Sequence, residues 1–403
     1  MPMQLNHSLH LAYCTNVHRG ETWRETFAAL EQRTLAVKRA VCPSRPYAIG
    51  LRLSDAASRE LAQPAHLQEF KQWMERKGCY IFTINGFPYG RFHGARVKDA
   101  VYAPDWTTPE RLAYTNRLFD LLAALVPEGV SGSVSTLPGS FKEFIRSPEQ
   151  EREMRANLWR CVDYMAALRE QTGKDLHLGL EPEPFGFIEN TAETIAFFAA
   201  LADDRPNDPR FLRHLGVNYD ACHFAVEYEQ PAHVLAAFAR HGIRLSKLHL
   251  SNALRLAPTV MGRRRLAEFQ DEVYLHQVIA RRADGSLARH KDLDLALAEA
   301  ERDAHFADVE WRVHFHIPLH TEPDGEFQNT SNDLIELLRL LSMNPSLCQH
   351  LEMETYTWEV MPAAFRNRCV EDQLVAEYGW ALARLRELGL ATGAHSRLPQ
   401  LTP

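Results

Sequence analysis

Residues 176–184 read Leu-His-Leu-Gly-Leu-Glu-Pro-Glu-Pro. A short apolar strand pattern stops there in carboxylates and prolines. Pro182 and Pro184 have no backbone N–H and cannot extend a ladder, so the strand ends near Glu181. Glu181 is left at the carboxyl end of a strand, between stiff neighbours. In a parallel barrel that end is the face where functional groups collect. Three later strand patterns end in the same way, in Asp220, His249 and Glu354. Two glutamates, an aspartate and a histidine on one face predict a site for a divalent metal: Mn, Zn or Mg.

The rest of the chain alternates strands and helices. A strand at 10–14 leads into Thr-Asn-Val-His and a helix over about 22–40. A strand at 47–53 precedes a helix near 65–77, and Gly78 stands where a helix-ending glycine belongs. The third strand, 79–84, is nearly all apolar, as in a strand buried on both faces, and opens into a glycine- and aromatic-rich loop at 85–94. A helix near 109–126, a strand at 132–136 and a long helix at 148–171 follow, with Gly173 after its end. The fifth strand is the opening stretch, and its helix starts near Thr191. The sixth and seventh strands are Leu215–Asp220 and Arg244–Leu250.

This order predicts parallel βαβ units in a (βα)8 barrel, one domain over residues 1–403. Residues 252–312 break the rhythm and are expected as an insertion near the barrel mouth. Within it, segments 273–281 and 286–290 flank Arg-Ala-Asp-Gly, a hairpin signal, and a helix at 292–303 follows. A strand at 312–317, a helix at 332–343, a strand at 350–355 and a helix at 363–388 complete the chain. Besides the hairpin there are nine strand candidates for eight barrel positions. The strand 350–355 takes the eighth place, because a long helix follows it, and 312–317 becomes an added strand between strands 7 and 8.

Bulk properties exclude several classes. The 403 residues are 45% hydrophobic and 24% charged, ordinary for a large packed core. A net charge of −7 gives no bulk attraction to nucleic acid or acidic membranes. The 7 cysteines show no C-x-x-C spacing and no basic-then-apolar leader precedes them, so reduced thiols in a cytoplasm are expected. No segment approaches the ~18 apolar residues of a membrane span. There is no GxGxxG after a strand, no P-loop, no G-x-S-x-G and no HExxH, so nucleotide-cofactor and serine-nucleophile chemistries lack support.

Several candidate residues have a rival close by in the sequence. Glu183 competes with Glu181 as ligand, and the intervening proline favours the first. Asp220 is followed at i+3 by His223, so one turn supplies a ligand and a second contact. Lys247 and His249 share a face. His314 and His316 share another, with His320 beyond, as a second imidazole source or as cavity lining. Glu352 and Glu354 also share a face; the upper one suits a metal and the lower one a basic partner. The loop 85–94 is the expected substrate lid, with Asn85, Tyr89, Arg91 and His93 as its polar contacts. Lys142, Asn16 and His18 are weaker candidates from other strand ends. Cys14 reads as a small buried filler.

At these residues the chain resembles the xylose-isomerase-like barrel superfamily, which includes sugar isomerases, sugar epimerases and endonuclease-IV-type nucleases. In the epimerase branch a glutamate, an aspartate, a histidine and a glutamate from strands five to eight hold the metal. Glu181, Asp220, His249 and Glu354 match in order and type, and Asp220 and His223 match its Asp-x-x-His. The resemblance implies that Glu181 and Glu354 also move the proton next to a carbonyl. The segments His-Leu-Ala-Tyr-Cys-Thr-Asn-Val-His and Glu-Met-Glu-Thr-Tyr-Thr-Trp are similar to the EboE family of metabolite traffic proteins. That likeness implies a role in secondary-metabolite precursors and association with other ebo-cluster proteins.

The expectation is a divalent-metal isomerase or epimerase acting on a sugar, sugar phosphate or cyclitol, with Asn85, Tyr89, His93, Lys142, His223 and His316 around the substrate. Two other classes stay open. One is a metal-dependent hydrolase or phosphodiesterase that draws further ligands from His314, His316, His320 and Glu183. The other is a non-catalytic barrel that binds a metabolite.

Overall fold

Thirteen strands form two sheets in this computed structural model, which describes residues 3, 5–94, 96–302, 306–322, 324–362 and 368–392. The first seven are β1 (His10–Tyr13), β2 (Tyr47–Arg52), β3 (Cys79–Asn85), β4 (Gly132–Thr136), β5 (Leu176–Leu180), β6 (Leu215–Asp220) and β7 (Arg244–Leu250). Then come β8 (Asn252–Leu256), β9 (Val278–Arg282), β10 (Leu287–His290), β11 (Asp308–Ile317) and β12 (Phe327–Asn329), and last β13 (His350–Met353).

Eight strands are parallel in the order β1-β13-β7-β6-β5-β4-β3-β2. A bridge from Cys14 to Gly50 joins the outer two, so the sheet closes on itself as a (βα)8 barrel. The strands are buried on both faces, because helices cover the outside and side chains fill the inside. Local chemistry sets the helix ends. Thr22 and Glu25 make a capping box, and proline opens the helices Pro64–Lys77, Pro109–Leu125, Pro148–Thr172 and Pro231–Arg240. Gly78 and Gly173 end two of these in the left-handed region, at φ +60° and +69°, which costs a glycine little.

The second sheet is antiparallel, in the order β10-β9-β11-β8-β12, and lies in sequence between β7 and β13. The added strand expected at 312–317 is the carboxyl part of β11. Two of its strands were not legible. β8 begins two residues after β7 ends, so one apolar run conceals two strands, and β12 has only three residues. The hairpin is shorter than expected on its first arm. The ladder's last rung on this arm is His314 N to Gln277 O at 2.8 Å; residues 273–276 lie outside it, and Val273 instead accepts the amides of Val97 and Lys98 at 2.8 Å each.

The strand 350–355 takes the eighth barrel place, ending at Met353 and pairing with β1 and β7. The helix after it is Val370–Glu387; the expected start at 363–367 lies outside the described residues. Asp303, the expected end of the insertion's helix, also lies outside them, after Leu293–Arg302. No helix among the described residues is long and apolar enough to cross a membrane.

Glu377 on the last helix gives the fold a pH dependence. Burial pushes its carboxyl up to about 7, against hydrogen bonds from Thr355 Oγ1 at 2.6 Å and Leu319 N at 3.0 Å. Between the unfolded value and about 7 the folded chain holds the extra proton. Stability therefore falls as pH rises through that window, by about 3 kcal/mol, and the loss is complete above it. Glu377→Gln mimics the protonated acid and keeps the acceptor oxygen. Calorimetry across pH is expected to show parent and variant alike in mild acid, and the variant unfolding at higher temperature at pH ~8.

Candidate metal centre

Four strand ends deliver four side chains to the carboxyl rim of the barrel. The Glu181 amide donates to Thr136 O at 3.0 Å, the last rung of the ladder before Pro182, which has no N–H to continue it. Asp220 ends β6 and caps the helix Ala221–Val226, its Oδ1 accepting the His223 amide at 3.1 Å and Ser251 Oγ at 2.7 Å. His249 on β7 is in register with Asp220 on one side and Glu352 on the other. Glu354 follows β13, its amide donating to Leu250 O at 3.1 Å.

One ligand atom from each of Glu181, Asp220, His249 and Glu354 lies within 4.8 Å of the others, and all four residues are buried. His249 Nδ1 is 3.1 Å from Glu181 Oε1, 3.2 Å from Asp220 Oδ2 and 3.0 Å from Glu354 Oε2. The second oxygen of each carboxylate is already occupied. Asn218 donates to Glu181 Oε2 at 2.8 Å, and Asn16 and Asn85 donate to Glu354 Oε1 at 2.8 and 3.1 Å.

This donor set suits a divalent cation. A ring nitrogen carries at most one hydrogen and cannot satisfy three carboxylates. Burial works to lower the His249 pKa, yet the charges of Glu354 and Glu181 outweigh it and drive the imidazole well above its ordinary value. The cluster is therefore short of positive charge. Three oxygen donors and one imidazole match Mn, Zn or Mg, and the arrangement does not choose among them.

A cavity stands over the cluster, with Glu181 and Glu354 in its lining. Phe87, Phe92, Tyr102, Tyr274 and Tyr356 give it aromatic walls. Asn16, Asn85, Glu183, His223, Gln277 and His314 supply polar groups. Glu183 is not in the four-membered cluster; its Oε1 has no hydrogen-bond partner, and burial, then the charge of Glu181, push its carboxyl well above the carboxylate range.

Three imidazoles line up beside the cluster. The Nδ1 of His223 lies 3.1 Å from Pro182 O, that of His314 2.8 Å from Gln277 Oε1, and that of His316 3.0 Å from Glu354 O. Each of these oxygens only accepts, so each Nδ1 carries a hydrogen. His316 Nε2 is 3.3 Å from the Nε2 of both His223 and His314. Burial lowers the His223 pKa to about 4 and that of His314 well below the usual range.

Glu181, Glu354, Asn85 and His223 thus line the cavity, Asp220 and His249 join Glu181 and Glu354 in the cluster, and His316 lies 3.3 Å from His223. Three of the expected substrate contacts stand elsewhere. Tyr89 packs against Tyr114, with the Arg111 guanidinium 5.7 Å from its ring. His93 is used up between Asn16 O at 2.6 Å and the Tyr274 hydroxyl at 2.7 Å. Lys142 pairs with Glu189 and Glu193, each at 2.7 Å. Each is a polar loop residue with nearer partners than the cavity. Glu352 takes the basic partner of a lower layer, Lys247, at 2.6 Å. Cys14 is a buried thiol that accepts from Asn85 Nδ2 at 3.3 Å. Lys98, Tyr102, Tyr274, Gln277 and Tyr356 were missed as wall residues. Only Tyr356 had a signal, since it directly follows the Glu-Met-Glu-Thr run.

No family model matches the chain, and no curated protein does. Solved structures are similar in fold. A D-tagatose 3-epimerase-like protein shares 11% identity, over 94% of this chain and 98% of its own, with a TM-score of 0.50. The 3-keto-D-glucoside 4-epimerase YcjR from E. coli shares 14%, over 92% and 98%, with a TM-score of 0.45. A xylose isomerase domain protein from Alicyclobacillus acidocaldarius subsp. acidocaldarius shares 13%, over 95% and 99%, with a TM-score of 0.46. The first of these agrees with the strand order above in giving the chain the fold of a (βα)8 barrel.

A cation that binds only the folded chain stabilises it by mass action. Mn²⁺ at ~100 times its Kd is expected to add about 2.7 kcal/mol and raise Tm, a chelator to reverse the gain, and His249→Gln to abolish it. Calorimetry with and without EDTA checks this.

Proposed function

We propose that the chain is a divalent-metal isomerase or epimerase acting on a small polyhydroxylated metabolite: a sugar, a sugar phosphate or a cyclitol. The observation that carries this reading is the meeting of three buried carboxylate oxygens and one imidazole nitrogen at the floor of a cavity on the carboxyl face of the barrel. The epimerase-like description of a barrel with the same fold supports it by analogy. We propose Glu181, Asp220, His249 and Glu354 as the ligands, with Asn85, His223 and His316 at the substrate. Barrel and second sheet act as one domain in this reading, with residues 252–312 roofing the site. The EboE resemblance adds a role in handling secondary-metabolite precursors in a cytoplasm, alongside other ebo-cluster proteins.

A divalent cation held there supplies a Lewis acid for a neighbouring carbonyl and hydroxyl pair. The protein's own part is to place two carboxylates. Glu181 follows β5 and Glu354 follows β13, with β6 and β7 between them. Amide donors from Asn218, and from Asn16 and Asn85, hold one oxygen of each. The other oxygen of each is therefore aimed before substrate arrives. One glutamate takes the proton from the carbon beside the carbonyl, and a proton returns from either glutamate, so protons balance with no redox change. The aromatic walls cover the apolar face of a sugar ring and exclude water.

A second reading, a metal-dependent hydrolase or phosphodiesterase, is favoured by one observation. Glu183, His223 and His314 form a second buried group that could hold a cation, with His316 Nε2 3.3 Å from the Nε2 of both histidines.

Incubation of the Mn²⁺-loaded chain with ketoses, ketose phosphates and inosose-type cyclitols in D2O separates these readings. Proton NMR is expected to show deuterium entering the carbon beside the carbonyl, with one metal per chain by elemental analysis. Two or more metals per chain, with cleavage of a generic phosphodiester and no exchange, would overturn the first reading in favour of the second.

A further inference from the structure

The interior of a (βα)8 barrel is ordinarily filled by branched apolar side chains. Directly beneath the metal cluster this barrel instead holds an ion pair. Lys247 Nζ is 2.6 Å from Glu352 Oε2, and neither residue has measurable solvent exposure. Lys247 also donates to Ser135 Oγ at 2.8 Å. The same Glu352 oxygen lies 3.0 Å from His249 Nε2. A notch two strands away, on β2, makes the room: a Cβ added at Gly50 would stand 2.0 Å from Glu352 Oε1 and 2.6 Å from Tyr13 O.

A buried ion pair is a poor device for stability, since two apolar groups of similar volume often do as well or better. Its geometry points to a different task. Three carboxylate oxygens surround His249 Nδ1, and on their own they favour a hydrogen on that nitrogen, which would block ligation. An ionised Glu352 only accepts, so it draws the hydrogen to Nε2, on the far side of the ring. Lys247 keeps that carboxylate charged and in place.

We infer that Lys247 and Glu352 are positioning residues that hold His249 with its hydrogen on Nε2 and its Nδ1 lone pair turned to the metal, and that Gly50 is the notch that seats them. The consequence for metal binding rests on the metal reading above; the ion pair and the notch do not.

The test is Mn²⁺ affinity by titration calorimetry, with the visible spectrum of the Co²⁺ form, in the full chain. Glu352→Gln keeps an acceptor oxygen and is expected to stay within about threefold of the parent. Glu352→Leu removes it and is expected to weaken binding ~10–100-fold and shift the Co²⁺ bands. Gly50→Ala touches no ligand and is expected to act in the same direction by displacing Glu352. If Glu352→Leu does not fold, the double variant Lys247→Met, Glu352→Leu removes both charges and carries the same expectation. Parent-like affinity in the Leu and Ala variants overturns the inference, as does an equal loss in Gln and Leu. A parent chain that binds neither Mn²⁺ nor Co²⁺ overturns the metal reading instead, so the two failures are distinct.

Discussion

Three carboxylates buried against one imidazole nitrogen are the constraint around which this molecule is arranged. Like charges this close and this dry do not coexist without a compensating positive charge. The imidazole alone supplies at most one. Barrel closure brings the four groups together, because β5, β6, β7 and β13 are consecutive neighbours whose ends open on one rim. The surrounding donors serve the same end. Asn16, Asn85, Asn218 and Ser251 each occupy a carboxylate oxygen that does not face the cluster.

The polar character continues downward into the barrel, where most barrels turn apolar. Lys247, Glu352 and Ser135 form one layer, and His177, His350 and Ser133 another below it. These groups are buried and satisfy one another, with a few atoms such as Glu352 Oε1 and Asn218 Oδ1 left without a protein partner. Such networks specify one arrangement strictly, which is what a site needing sub-ångström placement of four ligands requires. The second sheet closes the other side. Gln277, at the end of the ladder before β9, and Tyr274, in the segment that precedes it, line the cavity.

The meeting of these four side chains was legible because strand termination has a chemical signature. Prolines after Glu181 stop a ladder, and a carboxylate at the end of β6 caps the next helix, so the functional atom and the structural stop coincide in one residue. The alternation of strands and helices gave the barrel for the same reason that it forms: parallel strands need long crossovers. The cavity wall was mostly illegible. Tyr102, Tyr274 and Gln277 sit in irregular segments with no period to read. Loop polarity was misleading in the opposite sense. His93, Lys142 and Tyr89 looked available, yet each finds a local partner that a linear sequence does not display. β8 was hidden because one residue, Ser251, separates it from β7, and Ser251 turned out to hold Asp220.

The proposed cation site lies among Glu181, Asp220, His249 and Glu354. Anomalous scattering from a crystal soaked in Mn²⁺ tests it most directly. The strongest peak is expected inside those four side chains, with the His249 ring facing it through Nδ1. A peak confined to His223, His314 and His316, or no peak near the barrel rim, would contradict it.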